Sequence, residues 1–425
     1  MGSLVVVIII LGCGAYQYFK GTIFKAVSAI IITICASAVA FGYFEMLAAY
    51  FTKEGSASKY PAIVPYAQPL CFALLFILTF AVLQTAAMQL TRLPVDFGLM
   101  PERIGRPILG VFLGLILSGL LLTGLAMAPL PNKYPYQRFE GTFTALSAQS
   151  PNRVLLNADG FVSGWFGLLS KGSFAAIREP RSFATLHPAF IDQLFLNRQN
   201  ESPDIPLITS SESIEVPNKN GAWYAAAAGI KDADGKPIAA QAGHALVVVR
   251  MGILKDTIDD SGKFTLGQLR LICKQKDASG DPLTGKGQNV YPIGYFSAAD
   301  RITTKRLTEP ITIDRSDYVG QDTRRYVDYV FNVPNDFVPI LLEFKQNCIV
   351  NLPRIVSAEQ APPPAPFVER ARTEPEAAKP PDSPDSGAPS SPPPDQGASS
   401  DRPKRRGGLS PTGRMLTGGA ADDTE

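Results

Sequence analysis

Histidine is nearly missing: His187 and His244 are the whole imidazole supply of a 425-residue chain. A metal centre built on several histidines is thereby excluded, and a mixed centre would need carboxylates at a spacing the chain does not show. Each histidine reads as a surface or capping residue, His187 before Pro188 at an expected helix start and His244 beside a strand. Also lacking is a serine in a Gly-Asp-Ser-Gly-like setting with His and Asp upstream, since Ser279-Gly280 reads as a hairpin turn. Gly285-Lys286-Gly287 lacks the spacing of a phosphate loop. Asp232, Asp234 and Gly235 open like a calcium loop, but Gly243 stands where the closing glutamate belongs, so a hairpin turn is the better reading. The chain reads as non-enzymatic, with no cofactor and no nucleic-acid partner.

Charge is scarce in one part only. The first 130 residues hold eleven charged side chains, and the remaining 295 hold 67. One solvent cannot suit both compositions, so the chain reads as a membrane piece, a soluble piece and a tail. Stretches 1–19, 26–44, 60–91 and 107–132 carry no charge at all, each long enough for the roughly 18 apolar residues that cross a bilayer. The expected spans are 3–19, 26–44, 69–91 and 107–130, with the lipid bilayer as first partner. No ionisable residue falls inside them, which argues against a proton or ion relay. Lys20, Lys25, Arg92, Arg103 and Arg106 lie on one side against Lys53, Lys59, Lys133 and Arg138 on the other. That bias puts the first side in the cytoplasm and both the N-terminus and the C-terminal region outside it.

Small residues recur at four-residue spacing: Gly110, Gly114 and Ser118 in span four, and Ala29, Thr33 and Ser37 in span two. Such stripes let helices pack closely, within one bundle or between copies of the chain in a homo-oligomer.

The turn after span one, Tyr18-Phe19-Lys20-Gly21, and the entry to span four, Glu102-Arg103-Ile104-Gly105-Arg106-Pro107, resemble the colicin V production (CvpA) family of bacterial inner-membrane proteins. In that family the fourth span opens with an Asp-Arg pair followed by glycines. Glu102, Arg103, Gly105, Gly110 and Gly114 match it, with glutamate replacing aspartate. The resemblance covers about residues 1–130. It implies a multi-pass protein of the bacterial inner membrane with a role in toxin (colicin V) production or secretion, or in envelope physiology, and it carries over no catalytic residue.

After the spans the period changes. Residues 133–202 read as a helical connector, with one amphipathic helix through Phe161, Val162, Trp165, Phe166, Leu168 and Leu169 and a second presenting Phe190, Ile191, Leu194 and Phe195. Runs at 205–208, 213–216, 222–226, 245–251, 268–274, 326–333 and 339–344 are short and β-branched or aromatic, separated by turn residues. They predict a mainly antiparallel β-domain over 203–356, sandwich-like, with an immunoglobulin-like sandwich the first choice. In it, Val327, Tyr329 and Phe331 alternate with Asp328, Val330 and Asn332, as expected of a strand with one buried face. Residues 357–425 are proline-rich with few aliphatics and read as a disordered tail.

Cys13, Cys35 and Cys71 fall in apolar stretches and behave there as small hydrophobes. Cys273 and Cys348 fall in strand regions outside the cytoplasm, where they are either bonded to each other or two separate buried thiols. The leading functional expectation is a multi-domain envelope protein whose β-domain binds an extracytoplasmic partner; the alternative is a small-solute channel or transporter made of oligomerised bundles.

Overall fold

The computed structural model describes residues 1–53, 59, 61–90, 98–140, 143–146, 151–171, 182–200, 205–226, 229–255, 262–276, 282–318 and 323–369. Contacts divide the chain into Met1–Arg370 and Ala371–Glu425. The expectation of a disordered tail over 370–425 lies outside the described residues.

Four helices, α1 (Gly2–Lys20), α2 (Ile23–Thr52), α3 (Ala67–Leu90) and α4 (Leu99–Met127), carry the apolar composition, and all four are long and apolar enough to cross a membrane. The α4 glycines face α1. A Cβ on Gly114 would stand 2.7 Å from Ile10 Cα, and one on Gly110 would stand 2.9 Å from Gly14 Cα. Ser118 completes the stripe, fully buried with its hydroxyl donating to Leu115 O. Gly105 sits against the Ile23 side chain at the start of α2. The stripe is therefore used inside the bundle, where the small residues let the helix backbones approach closely.

Two helices outrun the expected spans. Helix α2 continues past 44 to Thr52 and takes in Glu45, and α4 starts at Leu99, before the span expected from 107. A charge-free window measures hydrocarbon depth, whereas a helix continues as long as its backbone bonds and caps allow. The Thr22 side chain accepts the Lys25 N–H at the start of α2. Glu102 accepts the Ile23 N–H at 3.3 Å and pairs with Arg106, so a buried carboxylate faces the positive end of α2.

The connector holds α5 (Ala158–Lys171), α6 (Phe183–Leu186) and α7 (Phe190–Arg198). Helix α5 is amphipathic as expected, burying Val162 and Phe166 and exposing Trp165 and Leu168. It rests on α4 so closely that a Cβ on Gly119 would meet Ala158 O at 2.2 Å. Helix α7 is buried around all but Asp192, not on one face, because Gln193, Asn197 and Arg198 are covered along with Phe190, Ile191, Leu194 and Phe195. It is wedged between the bundle and the strands, and its polar side chains find partners there.

Twelve strands follow among the described residues, and their ladder pairs are antiparallel. One sheet orders β1 (Ile214–Glu215), β3 (His244–Leu254), β10 (Arg324–Pro334), β7 (Pro292–Phe296) and β8 (Ile302–Thr304), with β2 (Ala222–Tyr224) also on β3. The second orders β12 (Cys348–Asn351), β11 (Phe337–Phe344), β5 (Leu269–Lys276) and β6 (Pro282–Val290), and β4 (Lys263–Thr265) pairs with β9 (Pro310–Thr312). Core residues from both larger sheets, such as Met251, Tyr329, Leu271 and Phe344, share one apolar cluster. The run at 205–208 is not a strand; Ile205 and Ile208 are buried there in irregular chain.

Strand β10 buries both faces: Val327, Tyr329 and Phe331 on one, Asp328 and Val330 on the other. The second face is covered by Trp223 and by chain beyond β12, which corrects the domain boundary at 357. Arg250 forms a two-pronged ion pair with Asp328 (2.7 and 2.8 Å) and also donates to Pro363 O, while Asp328 accepts the Ala365 N–H. Phe367 is 1% exposed against Tyr295, and Lys305 pairs with Glu369 at 2.7 Å. Low aliphatic content suggested no fold for this segment, but its docking depends on carbonyls, one phenylalanine and one glutamate, which composition averages do not register.

Cys273 and Cys348 are free, buried thiols. The disulfide is excluded by register: β11 lies between their strands, with Pro339 opposite Cys273 and Phe344 opposite Cys348. Two strand spacings alone separate them by about 10 Å, beyond the Cα separation of about 7 Å that a disulfide tolerates. Burial pushes the Cys348 thiol up to about 11 and the Cys273 thiol further still.

Candidate functional site

Where α2 leaves the apolar layer, a chain of charged and amide groups runs from Glu45 through the connector into the second sheet. His187 Nε2 lies 2.7 Å from Glu45 Oε1, with the imidazole fully covered and the Glu45 side chain 34% exposed. The contact is held by charge proximity and not by an aligned hydrogen bond. His187 Nδ1 lies 2.9 Å from Gln193 Oε1, and Gln193 Nε2 donates to Glu343 Oε1 at 2.8 Å. Arg270 closes the chain, its Nε and NH2 donating to the Glu343 carboxylate at 3.1 and 2.5 Å and its NH1 to Leu186 O and Asn289.

Gln193 donates its amide N–H to Glu343 and turns its oxygen toward His187 Nδ1, which also has Arg270 NH2 at 3.3 Å, while Glu45 faces Nε2. Burial alone would lower the His187 pKa; the Glu45 carboxylate, with Glu343 assisting and Arg270 opposing, holds it above its ordinary value. The two carboxylates, the imidazole and the guanidinium thus lie in one connected cluster, where the buried charges have partners of opposite sign.

Phenylalanines enclose the network. Phe183 and Phe190 each place a ring centroid 5.0 Å from His187, and Phe41 of α2 stacks on Phe166 of α5 at 4.9 Å. The Phe183 and Phe190 rings meet the imidazole in tilted or edge-on contact. A second cluster lies alongside: Arg138 pairs with Asp192 at 2.5 Å and donates at 2.6 Å to Tyr136 OH, which itself donates to Asp159. Burial, then the Asp159 charge, raise the Tyr136 phenol above its ordinary value against the pull of Arg138.

Two clefts flank the network. One, of about 590 Å³, lies between the connector and strands β6, β7 and β10, and is lined by residues including Phe143, Asp192, His244, Asn289 and Tyr291. The other, of about 340 Å³, runs along α5 beside Arg138 and His187.

No family model, curated protein or solved structure matches the chain.

The residues singled out in the sequence take different places. Gly105, Gly110, Gly114 and Ser118 pack helices, Glu102 ties α4 to the start of α2, and Gly21 is buried where a Cβ would collide with Gln17. Lys20 and Arg103 are exposed. His244 is half-buried at the larger cleft, but His187 is a buried ion-pair member and not the surface or capping residue expected. Glu45 was missed because it ends an uncharged stretch. Arg270 and Glu343 were missed inside their strands, although a charge flanked by Leu269 and Leu271, and another by Leu342 and Phe344, is a legible signal of a buried cross-strand pair.

Proposed function

We propose that the chain is a multi-pass protein of the bacterial inner membrane, of the CvpA kind, whose bundle holds an immunoglobulin-like binding module outside the cytoplasm. Its role is in toxin production or secretion, or in envelope physiology, and the partner is an envelope protein that docks in the larger cleft. One observation carries this reading: the Glu45–His187–Gln193–Glu343–Arg270 chain ties a bundle helix to the second sheet through largely buried charged and amide groups. A module that merely trailed from its membrane anchor would have no use for so costly a junction. Binding at the cleft then bears on the bundle directly, since Asn289 lines the cleft and bonds Arg270.

A photoreactive amino acid at His244, in the full chain in its own membrane, tests the cleft. The expected result is a discrete adduct with an envelope protein, lost when Tyr291 is changed to Arg; light-dependent labelling of lipid or water alone contradicts the reading. A reporter active only in the cytosol, fused just beyond Asn132, tests the orientation and is expected to be inactive.

A further inference from the structure

Three arginines are buried in the described residues: Arg138, Arg198 and Arg270. Two have carboxylates, Asp192 at 2.5 Å for Arg138 and Glu343 at 2.5 Å for Arg270. Arg198 has none among the described residues. It is 2% exposed, its Nε has no hydrogen-bond partner, NH2 donates to Tyr134 O at 2.9 Å, and NH1 reaches Ala128 O only at 3.5 Å. The Phe195 ring lies 4.6 Å from its guanidinium carbon. Its place at the last turn of α7 puts it at the negative end of a short helix, worth a fraction of a charge. Burial pulls its pKa down to about 10, with Tyr136 pushing weakly the other way, so it is still a cation at neutral pH.

Leaving a charge this deep without a counter-ion is costly, and proteins otherwise remove or pair it. The space for a counter-ion is present. Arg198 lines a cavity of about 350 Å³ together with Pro129, Leu130, Asn132, Asn200 and Leu207. The rim is fixed by Asn132, which donates to Asn200 O at 3.1 Å. The cavity begins two residues beyond the last residue of α4, at the level where an apolar helix ends. A phosphate there meets the Arg198 guanidinium, an amide at the rim, and apolar walls from Pro129, Leu130 and Leu207 for whatever the phosphate carries.

We propose that Arg198 anchors a binding site for a phosphate-class anion, supplied either by a phospholipid headgroup seated at the end of α4 or by free phosphate. The anion site stands on the unpaired guanidinium and its cavity; only the choice of a lipid as source rests on the membrane reading above.

The test uses the full chain extracted in mild detergent, followed by native mass spectrometry and by titration with inorganic phosphate observed by phosphorus NMR. The expected result is one retained phospholipid per chain in the wild type, at least tenfold less in Arg198→Gln, and retention in Arg198→Lys, which keeps the charge. Leu130→Trp narrows the cavity while leaving Arg198 in place, and is expected to lose the lipid as well, so loss does not depend on a variant that misfolds. Saturable uptake of inorganic phosphate without retained lipid supports the site with the free anion as its source. Neither ligand bound, or equal binding in Arg198→Gln and wild type, overturns it. Recovery of the chain in the membrane fraction is read separately, so failure of the site is distinguishable from failure of the membrane assignment.

Discussion

Glu45 on helix α2 and His187 at the end of α6 stand 2.7 Å apart, a carboxylate from the apolar bundle against an imidazole from the connector. The contacts continue on the β side of this pair through Gln193 to Glu343 and Arg270.

A pH dependence follows. The folded-state pKa of His187 is raised above the ordinary value of about 6.5. Its contribution is therefore complete below about pH 6.5 and is lost as pH rises through the folded value. Thermal unfolding of the full chain in detergent, followed by circular dichroism, is expected to show a melting temperature that falls as pH is raised from about 6 to about 9. His187→Gln is expected to flatten that slope; a slope of equal size in the variant would assign the dependence elsewhere.

Arg270 and Glu343 face each other across β5 and β11, both buried. Arg270→Met leaves Glu343 as an uncompensated buried charge and is expected to cost about 3–5 kcal/mol. Pairing it with Glu343→Leu removes both charges, and the double variant is expected to be more stable than either single one. Denaturant unfolding of the three variants decides the matter.

Of the fold, the four apolar helices, the α5 helix and six of the strand runs were legible from periodicity and charge alone. The physical reason is that each of these segments solves its burial problem locally. What escaped reading depends on partners far along the chain. Glu45 meets His187 from the connector, Phe367 packs between Tyr295 and Arg325, and β6 is a strand despite Gly285 and Gly287 because β5 pairs with it. The candidate site was almost wholly of this second kind.

Helix α4 approaches α1 through Gly114, where a Cβ would stand 2.7 Å from Ile10 Cα. Gly114→Leu is expected to destabilise the bundle by about 1–3 kcal/mol through overpacking. Gly12→Leu is the control, since a Cβ there meets nothing within 4 Å. Unfolding in graded denaturing detergent should separate the two; equal behaviour would remove the close-packed α1–α4 contact.

Phe367 anchors the chain that follows β12 on Tyr295 and Arg325, just beyond the bonds that Pro363 and Ala365 make to Arg250 and Asp328. Phe367→Ala is expected to cost about 3–5 kcal/mol if the domain unfolds as one unit with its strap. Limited proteolysis is expected to cut the variant between 357 and 369 where the wild type resists. Identical cleavage patterns would return this segment to the tail.

The account stands or falls on whether α2 and the connector share a charge. A double-mutant cycle with Glu45→Gln, His187→Gln and both together, measured by unfolding of the full chain at about pH 6, reads that interaction directly. Coupling of about 1 kcal/mol or more is the expected result. Effects that add to within about 0.5 kcal/mol would contradict it, leaving the bundle and the sheets as neighbours without an electrostatic tie.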